Sequence, residues 1–442
     1  MTTQAGTGRR AFVLGGGVAG LTAAFGLRDA GFAVTLLESR GWLGGRAFSS
    51  PEKGGARLLD NGPHVMLGCY TGMRALLRRL GTEGGFQQDQ QLAMAYRHDG
   101  GRVLQLALSR WPVPLAMPWA LLRLQVPFGA RVRAFLGMAS SLLRAPATWT
   151  LADWFARRRQ HGVPDAMLWR PLCRAIMNCE PEEAEAEGFL ATLREAFLGR
   201  ASRAAFWLPK APWSELIDRP ARSALPAAGI DLRLGARIAA LPIGNGRIEA
   251  IGLADGERIE LGAADLVVTA LPWFALGALL PDVVPKARKL RAAPIVSAYV
   301  TMPENEPPLP DDGPVTALVD GAPFHFVLRR PGDDPRHVAM LSGGDRSFDG
   351  QTVAAIVERA RAQLARWYPG SRMANAQVVV RKESLATFVP ACGSRVLRPA
   401  PGRVAGGPAN LRLCGDWTDT GFPATLEGAC RSALTMLREF AR

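Results

Sequence analysis

Carboxylates are scarce in this chain: 39 aspartates and glutamates face 53 lysines and arginines among 442 residues, a formal net charge of +14. Cysteine is scarcer still. The six cysteines, Cys69, Cys173, Cys179, Cys392, Cys414 and Cys430, form no CxxC pair or other close metal-type spacing. That excludes the usual thiolate zinc sets and a disulfide-stapled scaffold, and suits reduced thiols in the cytoplasm. No uninterrupted apolar run reaches the roughly 20 residues that a spanning helix requires. The richest stretch, Val103 to Leu143, is broken by Arg110, Arg123, Arg131 and Arg133 and by four prolines between Pro112 and Pro127. It reads as interfacial or buried. Internal repeats, low-complexity tracts and a signal-peptide pattern are also lacking, so a cytoplasmic protein is expected. The cations are nearly all arginine and are scattered, which argues against a nucleic-acid partner. They read either as solvated faces of an arginine-rich coding bias or as attraction to an anionic membrane surface, which would make the protein peripheral on the inner face of the cytoplasmic membrane.

What is present begins with Phe12-Val13-Leu14, an apolar run leading into Gly15-x-Gly17-x-x-Gly20. In a strand–turn–helix unit Gly15 allows the tight turn, Gly17 lets the backbone approach a pyrophosphate, and Gly20 lets helix and strand pack closely. The helix opening at Val18 and Ala19 aims its free N–H groups at the phosphates. Phe32 to Leu37 reads as the second strand and Glu38 ends it, 18 residues beyond Gly20. A carboxylate there accepts hydrogen bonds from an adenosine ribose. Strand, helix, second strand and terminal acid together make the pattern specific.

A hydrophobic share of 48% with 21% charged residues is globular, and the length exceeds one ordinary core. Arg57 to Leu59 reads as a strand, Met73 to Leu80 as a basic helix, and Ala93 to Leu106 as a hairpin about Asp99-Gly100-Gly101. Trp119 to Phe197 is almost wholly helical in pattern, with Pro181 expected at a helix start. Strands are expected at Ile230–Leu234, Arg237–Pro242, Arg247–Leu253, Glu257–Leu261, Leu266–Thr269, Ile295–Met302, Val315–Val319, Phe324–Leu328 and Val338–Ser342. An amphipathic helix follows at Thr352–Trp367. Pro399 to Pro408 reads as a linker, before strand Leu411–Cys414 and a final helix from about Ala424 to Phe440.

Cys414-Gly415-Asp416-Trp417-Thr418-Asp419 lies between that strand and helix, again a ligand-facing turn. Two such turns at opposite ends imply one cofactor held by both termini, with another domain inserted between them. GGGVAGLTAAFGLRDAGFAVTLLES, LGGR and CGDWTDTGFPATLEGACRS together resemble the FAD-dependent amine oxidase and phytoene desaturase superfamily. The resemblance implies an α/β fold, a Rossmann-like FAD-binding domain with an inserted α+β substrate domain. The FAD domain is then expected from residues 8–90, 229–285 and 396–442. Residues 91–228 form a helical, membrane-facing substrate region and 286–395 a substrate sheet and helix. The resemblance places FAD against Gly15, Gly17, Val18, Ala19, Gly20, Glu38 and Ser39. Gly44, Gly45 and Arg46 follow along the pyrophosphate and flavin, with Ile238 on the adenine-contacting strand. Gly62 and Pro63 come near the ring, Gly415 and Asp416 meet pyrophosphate and ribitol, and Pro423, Ala424 and Thr425 open the last helix at the pyrimidine end. Noncovalent FAD is expected, because Ala391-Cys392-Gly393 lacks the aromatic neighbour of a covalent site.

DNGPHVMLGCY, LWRPLCRAIMNCEPEEAEAEGFLATLREAF, LPKAPWSEL and GDWTDTGFPATLEGA resemble, more narrowly, the hydroxysqualene dehydroxylases of squalene and hopanoid biosynthesis. Met177-Asn178-Cys179-Glu180-Pro181 departs from that pattern. The implied reaction replaces the hydroxyl of an allylic C30 isoprenoid alcohol with hydride from reduced FAD. Hydroxide is a poor leaving group, so an acid must protonate it. His64 titrates in the useful range; Asp60 would orient it or act through water. Structural roles for both stay open: a hydrogen-bonded histidine, and a carboxylate holding its turn. Trp417, Thr418 and Asp419 are expected at the flavin or, for Trp417, in the core, and Glu427 faces cofactor or solvent. Met117, Trp119, Leu122, Phe128, Phe135, Trp154, Phe155 and Trp169 are candidates for an apolar tunnel mouth on a membrane. The alternatives are a phytoene-type desaturase, an amine oxidase, or an escort protein without flavin chemistry. No second dinucleotide fingerprint is present, so a separate reductase or free reduced flavin is expected as donor.

Overall fold

The first strand, β1 (Arg10–Leu14), is apolar beyond its first residue because it is covered on both faces. It lies third in a six-stranded sheet ordered Asp231–Leu234, Ala33–Glu38, Arg10–Leu14, Leu266–Thr269, Leu411–Leu413, Gly402–Arg403. Every neighbouring pair is parallel except the last. The computed structural model describes residues 8–52, 57–321 and 323–441. Helix α1 (Val18–Asp29) packs on this sheet beside the final helix, Leu426–Leu437. Two glycines allow that approach. A Cβ on Gly20 would fall 1.8 Å from the Gly15 carbonyl oxygen, and one on Gly26 2.2 Å from Leu437 Cδ1.

A second layer hangs from the crossovers. Its seven-stranded sheet runs Gln377–Phe388, Ala292–Thr301, His337–Gly343, Phe326–Leu328, Val315–Leu318, Ala93–Arg97, Val103–Ala107. All pairs are antiparallel except Val315–Leu318 with Ala93–Arg97. Helix Val353–Trp367 covers one face through Ile356, Ala360 and Leu364. The helices of residues 113–197 cover the other, where Tyr96 and Phe326 meet Trp154, Trp169 and Phe189 in the largest apolar cluster.

Three expectations change. Pro181 does not start a helix: the helix is Ala186–Phe197 with Glu185 at its N-cap. The preceding segment is used for pairing instead, Glu185 N–H donating to the Pro390 carbonyl at 2.8 Å, and Glu182 and Glu183 pair with Arg170 and Arg291. The Pro399–Pro408 stretch is not a plain linker, because Gly402–Arg403 forms an edge strand against Leu411–Leu413. Gln377–Phe388 is a strand where none was expected.

Glu427 faces neither cofactor nor solvent. It is fully buried, and its carboxylate accepts the N–H groups of Gly72 (3.2 Å) and Met73 (3.0 Å) while pairing with Arg431 at 2.8 Å. Helix Thr71–Arg79 has no side-chain cap of its own, so the last helix supplies one. Removing one partner of a buried charge pair destabilises by about 3 kcal/mol. Glu427→Ala is expected to lower the unfolding free energy measured in urea by that order and Glu427→Gln by less; an unchanged value in Glu427→Ala refutes the capping role.

Candidate functional site

The site is assembled from backbone before side chains. Gly15 turns at φ +103°, and its N–H donates to the Leu37 carbonyl at 2.8 Å, joining the turn to the second strand. Helix α1 follows from Gly17 with no side-chain cap and no acid in its first turn. Val18 and Ala19 thus open a helix whose free N–H groups and positive end remain available to an anion. At the end of the second strand the buried Glu38 carboxylate accepts Gly16 N–H at 2.6 Å, Arg40 N–H at 2.8 Å and the Ser39 hydroxyl at 3.1 Å. Ala236 N–H donates to the Glu38 carbonyl at 2.9 Å, bringing the strand that begins at Ile238 alongside.

A second glycine turn closes on the first. Gly44 N–H donates to the Gly16 carbonyl at 2.9 Å, and Gly44 at φ +96° would put a Cβ 2.4 Å from the Ala47 carbonyl oxygen. Gly45 backs onto Gly17, a Cβ there lying 3.1 Å from Gly17 Cα. This approach delivers Arg46, which pairs with Asp416 at 2.6 Å and donates to the Ala386 carbonyl. Gly415 N–H donates to the Ser432 hydroxyl at 2.9 Å, and the Thr418 and Ser432 hydroxyls are 2.6 Å apart. Trp417 is buried in the core, its ring N–H on the Leu271 carbonyl at 2.9 Å, and Asp419 pairs with Arg395 at 3.1 Å. Of that trio, Trp417 therefore packs and Asp419 is held by an outer cation. Thr425 caps the last helix, accepting Gly428 N–H at 3.0 Å, with Pro423 and Ala424 just before it. Glycine turns flanking an open approach, an uncapped helix end, a strand-end carboxylate and Arg46 fit a dinucleotide with two phosphates and a ribose, as FAD has.

The turn Asp60-Asn61-Gly62-Pro63-His64 lies against the seven-stranded sheet, with Ser297 Oγ 3.8 Å from where a Gly62 Cβ would stand. Asp60 is tied on every side. Its carboxylate accepts the Ser49 hydroxyl (2.6 Å) and Trp213 N–H (3.1 Å) and pairs with Arg330 (2.6 Å), while its carbonyl accepts the Tyr299 hydroxyl (2.8 Å). His64 stands edge-on to Trp213, ring centroids 5.6 Å apart. Burial pushes its pKa below the ordinary histidine value, with the Asp60 charge opposing. Asp60, Pro63, His64, Tyr299, Arg330 and Ala339 line one cavity. The structure thus brings His64 and Asp60 to one cavity, which Asp333 and His337 also line.

Sequence reasoning missed Arg330 and Tyr299, which come from segments without a recognisable motif. It also missed Arg398, whose buried guanidinium donates to the carbonyls of Trp417 (3.1 Å), Phe422 (2.8 Å) and Thr418 and so shapes the Gly415 loop. Burial pushes its pKa down to about 10. The tunnel candidates divide: Trp154, Phe155 and Trp169 are core, whereas Trp119, Leu122, Phe128 and Phe135 point outward. All six cysteines are free thiols, and among the described residues no cluster suits a metal ion.

Residues 18–436 match the family of flavin containing amine oxidoreductases. The chain is 28% identical to a hydroxysqualene dehydroxylase of Sinorhizobium fredii and 29% identical to one of Rhodopseudomonas palustris, each over 95% of both chains. Its fold superposes on a putative protoporphyrinogen oxidase from Exiguobacterium with TM-score 0.71 at 18% identity, over 98% of both chains. Gly17 separates folding from cofactor binding. An added Cβ meets only Gly45 Cα, at an ordinary 3.8 Å, and in the FAD reading would stand where the pyrophosphate approaches. Gly17→Ala is expected to leave the apoprotein melting temperature unchanged and to raise the FAD dissociation constant by about tenfold or more, each tenfold being about 1.4 kcal/mol. Unaltered FAD affinity refutes the placement.

Proposed function

The chain belongs to the flavin-containing amine oxidoreductase family, and within it we propose that it removes the hydroxyl of hydroxysqualene, using reduced FAD, to give squalene. The observation that carries this reading is the reach of the likeness to the two hydroxysqualene dehydroxylases, 95% of each chain. It extends across the substrate layer as well as the FAD-binding layer, and specificity resides in the substrate layer. In this reading residues 8–90, 229–285 and 396–442 hold FAD, while 91–228 and 286–395 hold the C30 chain.

FAD, when bound and reduced, supplies the hydride equivalent that ends on carbon. The protein's own task is the oxygen. His64 donates a proton to the departing hydroxyl as the C–O bond breaks, so that water leaves. The Asp60–Arg330 pair fixes the turn carrying His64, and the Asp60 charge favours the protonated imidazole against the burial that disfavours it. The apolar cluster between sheet and helices keeps bulk water from an allylic cation. Reducing equivalents come from a separate reductase or from free reduced flavin. The isoprenoid substrate dissolves in lipid, so the protein works as a peripheral one at the inner face of the cytoplasmic membrane. Among the described residues no helix is long and apolar enough to cross a membrane.

Anaerobic single turnover tests the reaction. Reduced holoenzyme mixed with hydroxysqualene should reoxidise its flavin with one equivalent of squalene by mass spectrometry. No squalene, with oxidised flavin instead bleached by a phytoene-type polyene, assigns the chain to desaturation. His64→Ala should retain FAD and slow turnover about 10²- to 10⁴-fold; near-normal turnover removes His64 from the mechanism. Because the donor must be protonated and its pKa lies below the ordinary value, the single-turnover rate should rise as pH falls below neutrality, and this rise should be lost in His64→Ala.

A further inference from the structure

Between Asp99 and Asp153 the chain contains no aspartate or glutamate, but it carries Arg102, Arg110, Arg123, Arg131, Arg133 and Arg144. This segment folds as two helices, Val113–Arg123 and Phe128–Ser140, packed as a hairpin on the outside of the substrate layer. Arg131 holds the connecting turn by donating to the carbonyls of Leu122 (2.8 Å) and Val126 (2.9 Å). The inner face, with Met117, Leu121 and Ala134, is buried against the core. The outer face is apolar too. Of the seventeen large apolar side chains exposed among the described residues, ten lie in residues 111–143, so the exposure is one patch and not a general property of the surface. Phe128 is 70% exposed, Trp111 58% and Trp119 57%.

A helix that is apolar all round needs cover on both sides. The helices have 11 and 13 residues, too short to span a bilayer but suited to lying within its interface. Exposed Arg110, Arg123, Arg133 and Arg144 flank the patch, where their stems reach past the acyl boundary and their guanidinium groups meet phosphates. A second copy of this chain would set the same uncompensated cations against one another. Beneath the hairpin lies an apolar cavity lined by Leu121, Leu124, Ala134, Val163, Met167 and Tyr96, and the buried Tyr96 hydroxyl has no hydrogen-bond partner.

We propose that the Val113–Ser140 hairpin is a docking surface for an anionic lipid leaflet, through which the apolar substrate is taken from the bilayer. Its lipid contact stands on charge and exposure alone; its role in uptake rests on the C30 reading above.

The test uses full-length FAD-loaded protein and vesicles of phosphatidylcholine with or without an equal share of phosphatidylglycerol. The protein should float with the anionic vesicles at low salt and less at high salt. Brominated acyl chains should quench its tryptophan fluorescence through Trp111 and Trp119. Arg123→Gln with Arg133→Gln should weaken partitioning about fivefold per arginine, the factor matching about 1 kcal/mol each. Leu136→Ser with Leu143→Ser should reduce flotation and quenching. Both double variants should keep wild-type melting temperature and wild-type activity on detergent-dispersed substrate, and lose rate only on vesicle-borne substrate. No flotation with anionic vesicles, equal binding to neutral ones, or self-association that shields Trp119 overturns docking. Flotation of wild type without squalene formation in detergent instead overturns the reaction and leaves the docking surface standing.

Discussion

Parallel pairing of Arg10–Leu14 with Ala33–Glu38 on one side and Leu266–Thr269 on the other is the constraint from which the architecture follows. Parallel neighbours cannot be joined by a tight turn, so each pair demands a crossover. The first crossover is minimal and becomes helix α1. Those joining Glu38 to Asp231 and Thr269 to Leu411 are long, and the whole substrate layer is built from them. Ligand turns therefore gather at the carboxyl ends of the strands, at one edge of the sheet. The substrate sheet comes to that edge because its strands arise from the same crossovers.

At that edge the tolerances are set by close backbone approach. Gly20 and Gly44 leave no room for a methyl group and Gly15 is held to glycine by its φ of +103°, whereas a Cβ on Gly17 would meet only Gly45 Cα, at 3.8 Å. That contrast separates glycines the fold itself requires from one that it does not. Charged groups then fasten the segments: Arg46 to Asp416 across the cofactor site, Asp60 to Arg330 across the cavity, and Glu427 to the start of helix Thr71–Arg79. Each joins residues far apart in sequence, so the cofactor edge and the cavity are mechanically one unit.

The sequence made the cofactor layer legible because glycine geometry and a strand-end acid are local requirements, written in consecutive residues from Gly15 to Glu38. Most strands of the substrate sheet were also visible from their apolar texture. Gln377–Phe388 was not. It is an edge strand, QVVVRKESLATF, exposed or half-covered along most of its length, and its charges mask the alternation. Pro181 misled because its acidic neighbours suit a helix start, while tertiary bridges to residues 150 and 391 claimed the segment. Arg330 was invisible for a different reason. In an arginine-rich chain nothing local marks the guanidinium that closes on Asp60, 270 residues away. Val103 to Leu143 was read as interfacial or buried, and only the fold shows that Trp154, Phe155 and Trp169 turn inward while Trp119 and Phe128 do not.

The position of the closing pieces has a consequence for how the protein is made. Asp416 and Glu427, which fasten Arg46 and helix Thr71–Arg79, follow Arg46 and Gly72 by 370 and 355 residues. At about 5–20 residues per second of synthesis, the first strand and its glycine turn emerge long before their partners exist. Until strand Leu411–Leu413 and helix Leu426–Leu437 have emerged, the nascent chain carries an unfinished sheet with the edge of Leu266–Thr269 unpaired on one side.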